Sequence, residues 1–354
     1  MKIELKLKIF QDIRERDYSM LNNRIITFIL VISIVCCSFV VFASERNTIT
    51  TADQILKELY QKYITLKTGK NADYIPELAK VNPNYFGIAI VTVDGKIYSI
   101  GDVNVPFAIE SISKPFVYAL ALQDNGEQFI TDKIGLNATG HRFNSVPAIE
   151  EKPDHLQNPL VNAGAIQITS TIKGKTSADK WQRVLNLMQQ LSDGKPFLGD
   201  AVYQSEMTTN QHNRAIAELL ESYKMMHGNP LDAVDRYTKA CSVMVTAKQL
   251  ALMGATFANG GINPLTHQSI ISRGYVRDAL SIMVVNGLYE NSGAWWWKVG
   301  LPAKSGVGGG IVAIIPAKMA IVVFSPPLDE AGNSVRGQAV IEEISHQWKL
   351  HLLS

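Results

Sequence analysis

The sequence predicts an α+β protein of two lobes, with an antiparallel sheet flanked by helices and built from both chain ends, plus a mostly helical lobe from the middle. Three observations carry this. Apolar, β-branched runs bracketing a tight turn occur near each end, at 86–100 and 311–325. Between them, apolar residues recur at helical spacing in several segments. An amphipathic helix precedes the first hairpin and another follows the second, with no internal repeat or low-complexity tract.

The elements follow in order. Thr50-Thr51-Ala52-Asp53 offers a capping box ahead of Ile55, Leu56, Leu59, Tyr60, Tyr63 and Ile64. Residues 86–93, the Asp94-Gly95 turn and residues 96–100 read as strand, turn, strand. The next helix opens near Ser111 and stops at Asn125-Gly126. From Phe129 to Leu160 the breakers Asn144-Ser145, Pro147, Pro153 and Pro159 predict a long ordered loop, a common form of pocket wall. Helices are expected over 163–172, from Ser177 through Leu191, over 205–226, over 246–258 before Asn259-Gly260-Gly261, and over 273–289. The hairpin 311–325 turns at Pro316-Ala317-Lys318. Ser334 then caps a closing helix with Ile341, Ile344, Trp348 and Leu352 on one face.

At 354 residues with 46% hydrophobic and 19% charged content, the chain can bury a full core. Its net charge of +2 arises in the first 43 residues, where Lys2, Lys6, Lys8, Arg14, Arg16 and Arg24 outnumber Glu4, Asp12, Glu15 and Asp17. The remainder is balanced, so nothing points to nucleic acid. Ile25 to Phe42 is almost wholly apolar, follows Asn22-Asn23-Arg24 and runs into Val41-Phe42-Ala43, a small-residue cleavage pattern ahead of Ser44. Residues 1–43 are therefore expected to be a signal peptide, with initiation at Met20 an alternative, and residues 44–354 the folded domain in the periplasm or secreted. The competing reading is an uncleaved inner-membrane anchor, since the run is near spanning length. Cys36 and Cys37 lie in that run, leaving Cys241 alone, so no internal disulfide framework is possible.

The chemistry centres on Glu110-Ser111-Ile112-Ser113-Lys114-Pro115-Phe116. Residues at i and i+3 share a helix face, so Lys114 can reach the Ser111 hydroxyl. Pro115 fits only a first turn, which puts Ser111 at or just before the helix start, where free N–H groups favour a developing oxyanion. A neutral lysine there makes Ser111 a nucleophile toward carbonyl carbon. By itself the pattern is also what chance supplies in a chain of this length.

Further blocks give it weight: Asn158-Pro-Leu-Val-Asn162-Ala-Gly-Ala-Ile166, Ser205-Glu206 with Asn213, Tyr237-Thr-Lys-Ala-Cys-Ser242, and Gly300-Leu-Pro-Ala-Lys304-Ser305-Gly306-Val307-Gly-Gly-Gly310. With Tyr289 and the run from Ser325 through Gly337, they resemble the bacterial serine-dependent glutaminase family over about residues 50–350. The resemblance implies a β-lactamase/DD-peptidase-like fold that hydrolyses L-glutamine to L-glutamate and ammonia without cofactor or metal. It implies Ser111 as nucleophile and Lys114 as base, with Ser111, Asn162, Glu206, Asn213, Tyr237, Tyr289 and Val307 lining the substrate site. It also suggests a homo-oligomer of paired dimers. Most relatives of this type are cytosolic, so the leader is a departure that bears on localisation.

Residue chemistry agrees. Glutamine brings an α-ammonium and an α-carboxylate, so Glu206 can meet the first while Asn162, Asn213 and the tyrosines bond the rest. Glu206 and Asn213 share a face if their helix is continuous. Lys304-Ser305-Gly306 resembles the lysine–serine–glycine element of penicillin-recognising enzymes. The N–H groups of Ser111 and Val307 are candidate oxyanion donors, and Lys304 is expected, with burial, to lower the Lys114 pKa. Tyr237 reads as a substrate contact first and a proton carrier second. No H-E-x-x-H or paired-cysteine spacing supports metal chemistry. Trp295-Trp296-Trp297 reads as packing under a lobe, or else as a membrane or subunit contact. Two rivals remain at this level: a penicillin-recognising enzyme, and a catalytically silent amino-acid sensor with the same pocket.

Overall fold

In the computed structural model residues 52–354 are described, and the leader and the Thr50-Thr51 cap lie outside the described residues. Residues 52–63 form helix α1, as the apolar spacing predicts. A proline-initiated turn, α2 (Pro76–Ala79), precedes the hairpin of β1 (Gly87–Thr92) and β2 (Ile97–Gly101), which closes at Gly95 with φ +84°. Strand β3 (Phe107–Ala108) leads through a 3₁₀ turn at Glu110–Ile112 into α3 (Ser113–Asn125), so Ser111 stands just before the helix, as Pro115 requires. The expected long loop contains two short helical turns, α4 (Glu127–Thr131) and α5 (Pro147–Glu150). Then come α6 (Asn162–Ser170) and α7 (Ser177–Leu191), the latter opened by a capping box between Thr176 and Asp179.

Beyond the short strand β4 (Phe197–Leu198) the structure departs from expectation. The single helix predicted over 205–226 is two, α8 (Asp200–Thr209) and α9 (Gln211–Ser222), broken where Asn210 leaves helical geometry. Asparagine is a poor interior helix residue because its amide competes for backbone groups. Helix α10 (Pro230–Cys241) was not anticipated, although Asn229 caps it by accepting the Asp232 N–H and Pro230 opens it. Strand β5 (Val243–Val245) and α11 (Ala247–Ala258), with its Thr246–Gln249 capping box, follow. Helix α12 (Arg273–Asn286) stops short of Tyr289, which sits in a 3₁₀ turn at φ +55°. Helix α13 (Ser292–Val299) carries the three tryptophans: Trp295 is buried with its indole N–H on the Leu301 carbonyl, whereas Trp297 is exposed. Strands β6 (Ala303–Ser305), β7 (Gly310–Ile315) and β8 (Met319–Phe324) and helix α14 (Val335–Trp348) complete the fold, with Leu352 beyond the helix rather than on it.

The sheet is wholly antiparallel in the order β2-β1-β8-β7-β6, so the two chain ends meet at the β1–β8 pair. Alternate residues explain why β7 and β8 read as unbroken apolar runs. Val312, Ile314, Ala320 and Val322 join the core beneath α11, where Gly254 permits close approach, while Ile311 faces Gly337 of α14. Both faces are covered, which removes the alternation of a half-exposed strand. Buried Arg336 of α14 donates to the carbonyls of Leu66 and Tyr85 beside the ring of Phe86, tying that helix to the segments flanking the first strand. A second, three-stranded sheet, β3-β5-β4, was not legible in so few residues.

Candidate active site

The small sheet sets the site. Pairing of Phe107 with Val245 and Ala108 with Met244, extended by the Ile109 N–H to the Val243 carbonyl at 2.8 Å, lays the approach to Ser111 beside the end of α10. Tyr237, Cys241 and Ser242 are thereby carried to Ser111 from far along the chain. Helix α6 packs against α3, α9 and α10, which brings its first residue, Asn162, to Lys114. The loop after β6 presses on the 3₁₀ turn from the other side. A side chain at Gly306 or Gly308 would strike the carbonyl of Ile109 or of Ala108, at 2.7 and 2.2 Å respectively, so this approach requires glycine.

These elements enclose a cavity of about 90 Å³ whose walls include Ser111, Asn162, Glu206, Asn213, Tyr237 and Val307. Glu110, Cys241, Tyr74 and Phe143 are also among its walls, and Tyr74, Phe143 and Val307 border an outer cavity of about 850 Å³ that includes Lys70, Arg142, Glu290 and Asp329. The break at Asn210 removes the shared helix face expected for Glu206 and Asn213, yet both reach the cavity, because α8 and α9 meet beside it.

Asn162 is the hub of the polar network. Its Oδ1 accepts from Lys114 Nζ at 2.7 Å and from the Tyr237 hydroxyl at 3.1 Å, and its Nδ2 donates to Asn213 Oδ1 at 3.0 Å. Lys114 Nζ also donates to the Leu160 carbonyl at 3.3 Å. Burial lowers the Lys114 pKa to about 8, against weaker opposing effects from Cys241 and Glu110. Burial pushes the Tyr237 phenol and the Cys241 thiol well up, so both stay protonated. The Tyr289 hydroxyl stands beside that of Ser111 and donates to the Ser305 carbonyl at 3.4 Å. The turn after Ser305 closes from Gly309 N–H to the Gly306 carbonyl and does not engage the Val307 N–H.

Lys304 and Ser305 stand behind this wall. Both are fully buried. The lysine lies over the Tyr289 ring at 4.1 Å and donates to the Ser305 carbonyl at 2.6 Å. Burial, and then the charge of Lys114, hold the Lys304 pKa well below its ordinary value. Burial leads among the influences on Lys114 and Lys304 is not among them, so Lys114 is lowered by burial rather than by the second positive charge expected from the sequence.

Glu110 was overlooked as a site residue. It is buried at φ +52° and lines the same cavity as Glu206, with which its carboxyl interacts. Burial raises the Glu206 pKa to about 7, opposed by hydrogen bonds from Glu110 and from the Ser242 hydroxyl, the latter at 3.2 Å. Burial, followed by the charge of Glu206, holds the Glu110 carboxyl well above the usual carboxylate range. The available sequence signal was an acid directly before Ser111, in a stretch otherwise heading into the core.

Comparison with known proteins bears directly on this arrangement. The model of the glutaminase family matches residues 69–353. A glutaminase of Colwellia psychrerythraea is 52% identical over 297 residues, covering 84% of this chain and 95% of the relative. The solved structure of the probable glutaminase ybaS superposes with a TM-score of 0.85 at 47% identity, covering 86% of this chain and 99% of the other. That of a probable glutaminase from Bacillus subtilis complexed with 6-diazo-5-oxo-L-norleucine gives 0.78 at 30% identity, covering 85% and 96%.

Proposed function

The chain belongs to the glutaminase family, and from that premise we propose that it hydrolyses the side-chain amide of L-glutamine through a glutamyl ester on Ser111. The observation that carries the reading is the surroundings of Lys114. A neutral amine has two N–H groups, and Lys114 finds two acceptors, Asn162 Oδ1 and the Leu160 carbonyl. Its lone pair is then left for the Ser111 proton. The serine oxygen attacks the amide carbon as that proton passes to Lys114. The oxyanion is met by the N–H groups of Ser111 and Val307. The lysine returns the proton to the departing nitrogen, ammonia leaves, and water cleaves the ester by the same steps reversed to give glutamate and free Ser111.

Substrate polarity matches the walls. Glu206 receives the α-ammonium, and Asn213, Asn162 and Tyr237, the last a neutral donor, bond the carboxylate and amide. The Tyr289 hydroxyl, anchored on the Ser305 carbonyl, flanks Ser111. Lys304 and Ser305 support that wall from behind rather than touching substrate. The Bacillus subtilis relative is complexed with 6-diazo-5-oxo-L-norleucine, a glutamine skeleton with a diazoketone in place of the amide, which supports a glutamine-shaped pocket here. The apolar leader supports export of this domain from the cytoplasm, and family likeness supports assembly as a homo-oligomer.

The test is ammonia release from L-glutamine and L-asparagine by the purified chain and by Ser111→Ala, with mass analysis of the chain treated with the diazoketone. Turnover of glutamine lost on substitution, together with a diazoketone adduct on the Ser111 peptide, is expected. Turnover that survives in Ser111→Ala refutes the covalent route. A folded chain inert toward both amides moves the assignment to the sensor or penicillin-recognising readings.

A further inference from the structure

Two carboxyl groups meet in the cavity where the substrate ammonium is placed, and only Glu206 has been given a task. Glu110 is buried beside it at 3% exposure, directly before the nucleophile, with a backbone φ of +52° that few non-glycine residues adopt. The glycine loop after β6 makes the slot for its stem: an added Cβ at Gly306 would lie 3.2 Å from Glu110 Cβ, and one at Gly308 3.4 Å from its Cγ. Strain and glycine together hold this side chain against Glu206.

Among the described residues no N–H or O–H reaches Glu110 Oε1. An ionised carboxylate buried with an unpartnered oxygen is costly, and two adjacent acids can bond to each other only if one keeps its proton. Glu206 accepts from the Ser242 hydroxyl at 3.2 Å whereas Glu110 Oε1 accepts from nothing among the described residues, so Glu110 is the one that keeps it. We propose that Glu110 is a positioning residue that acts as a neutral acid, donating its O–H to Glu206 so that the Glu206 carboxylate stays ionised and aimed at the α-ammonium of glutamine. The inference rests on the reading of Glu206 as the ammonium partner. It assigns the pocket one negative charge for one positive charge, with Glu110 lending a hydrogen bond and no charge.

The groups facing the pair are few. Lys114 on α3 is charged below about pH 8. Tyr237 and Cys241 on α10, Tyr289 on its 3₁₀ turn and Tyr74 at the mouth are uncharged near neutrality. Ser242 supplies the other bond to Glu206.

The test measures the dissociation constant of L-glutamine by calorimetry in the full chain carrying Ser111→Ala, which removes turnover, as a function of pH. It is repeated with Glu110→Gln, Glu110→Leu or Glu206→Gln added. An amide can donate as the acid does, so Glu110→Gln is expected to bind within about threefold of the parent. Glu110→Leu is expected to weaken binding roughly ten- to a hundredfold, the loss of a hydrogen bond to a charged group. In the leucine variant the acid limb of binding moves to higher pH, because the ionised form of Glu206 has lost a donor. Infrared difference spectra at neutral pH between the parent and Glu110→Gln should show the carbonyl stretch of a protonated carboxyl that the variant lacks, a signature that does not depend on the leucine variant folding. Binding weakened as much by glutamine as by leucine, unchanged binding in the leucine variant, or no protonated-carboxyl band overturns the proposal. Unchanged binding in Glu206→Gln instead overturns the assignment of Glu206, and the proposal falls with it.

Discussion

Replacing Lys114 by arginine keeps a positive charge near Ser111 but removes any base, since a guanidinium does not lose its proton in a protein. The size of the effect follows from burial. Near pH 7 an ordinary lysine with a pKa of 10.5 is neutral in roughly one molecule in 3,000, whereas at about 8 it is neutral in roughly one in ten. Burial therefore raises the population of usable base about 300-fold, a differential of roughly 3 kcal/mol between the two protonation states. The neutral form of a lysine is favoured by rising pH, so kcat is expected to climb about tenfold per pH unit below the Lys114 pKa of about 8 and level off above it. In Lys114→Arg that limb should vanish and kcat fall roughly a hundred- to ten-thousandfold, the usual worth of a general base. The assay is initial-rate ammonia release across the pH range, with circular dichroism confirming the fold. Lys304→Met provides the companion measurement. Because burial, and not Lys304, lowers the Lys114 pKa, removal of Lys304 should leave the limb within a few tenths of a pH unit. A pH-independent kcat in the parent, or a limb that persists in Lys114→Arg, refutes Lys114 as the base. A limb that moves upward by about a unit in Lys304→Met shows that Lys304 carries charge and acts as first expected.

Two further outcomes follow from the structure. Arg336 is 1% exposed and bonded to backbone carbonyls on either side of the α1–β1 connection, so Arg336→Met strands those carbonyls and should cost about 2–4 kcal/mol in chemical denaturation while leaving the glutamine KM within about twofold. A loss under about 0.5 kcal/mol would show that water replaces the guanidinium freely. A reporter active only after export, fused behind residue 43, should be active if the leader works as it reads, and inactive if the domain folds in the cytoplasm.

Much of the fold was legible because local signals agreed with tertiary demands. The hairpin turn at Asp94-Gly95, the stop at Asn125-Gly126 and the end of the 246–258 helix at Asn259 are decided within a few residues, and each stands where the sequence puts it. The failures have local reasons as well. An apolar period that runs across Asn210 does not register a single residue leaving helical geometry, so α8 and α9 read as one. The capping signals at Asn229 and Pro230 were present but adjoin the bend at His227-Gly228, and α10, which carries Tyr237, went unread. Strands of two or three residues, as in β3, β4 and β5, have no period to detect.

What the sequence determined by itself is the placement of Ser111 and Lys114 at a helix start, since Pro115 and i, i+3 geometry are properties of the chain within one turn. It also determined the family, through motifs whose residue types and order survive without coordinates. Only the tertiary structure decided that Lys114 bonds Asn162 and Leu160, that Lys304 stands behind Tyr289, and that Glu110 meets Glu206. Those facts depend on the antiparallel register of β3 with β5 and on how much water each group loses. Register and desolvation are set by residues distant in sequence, and a charge state in a buried site follows from them rather than from the residue's own identity.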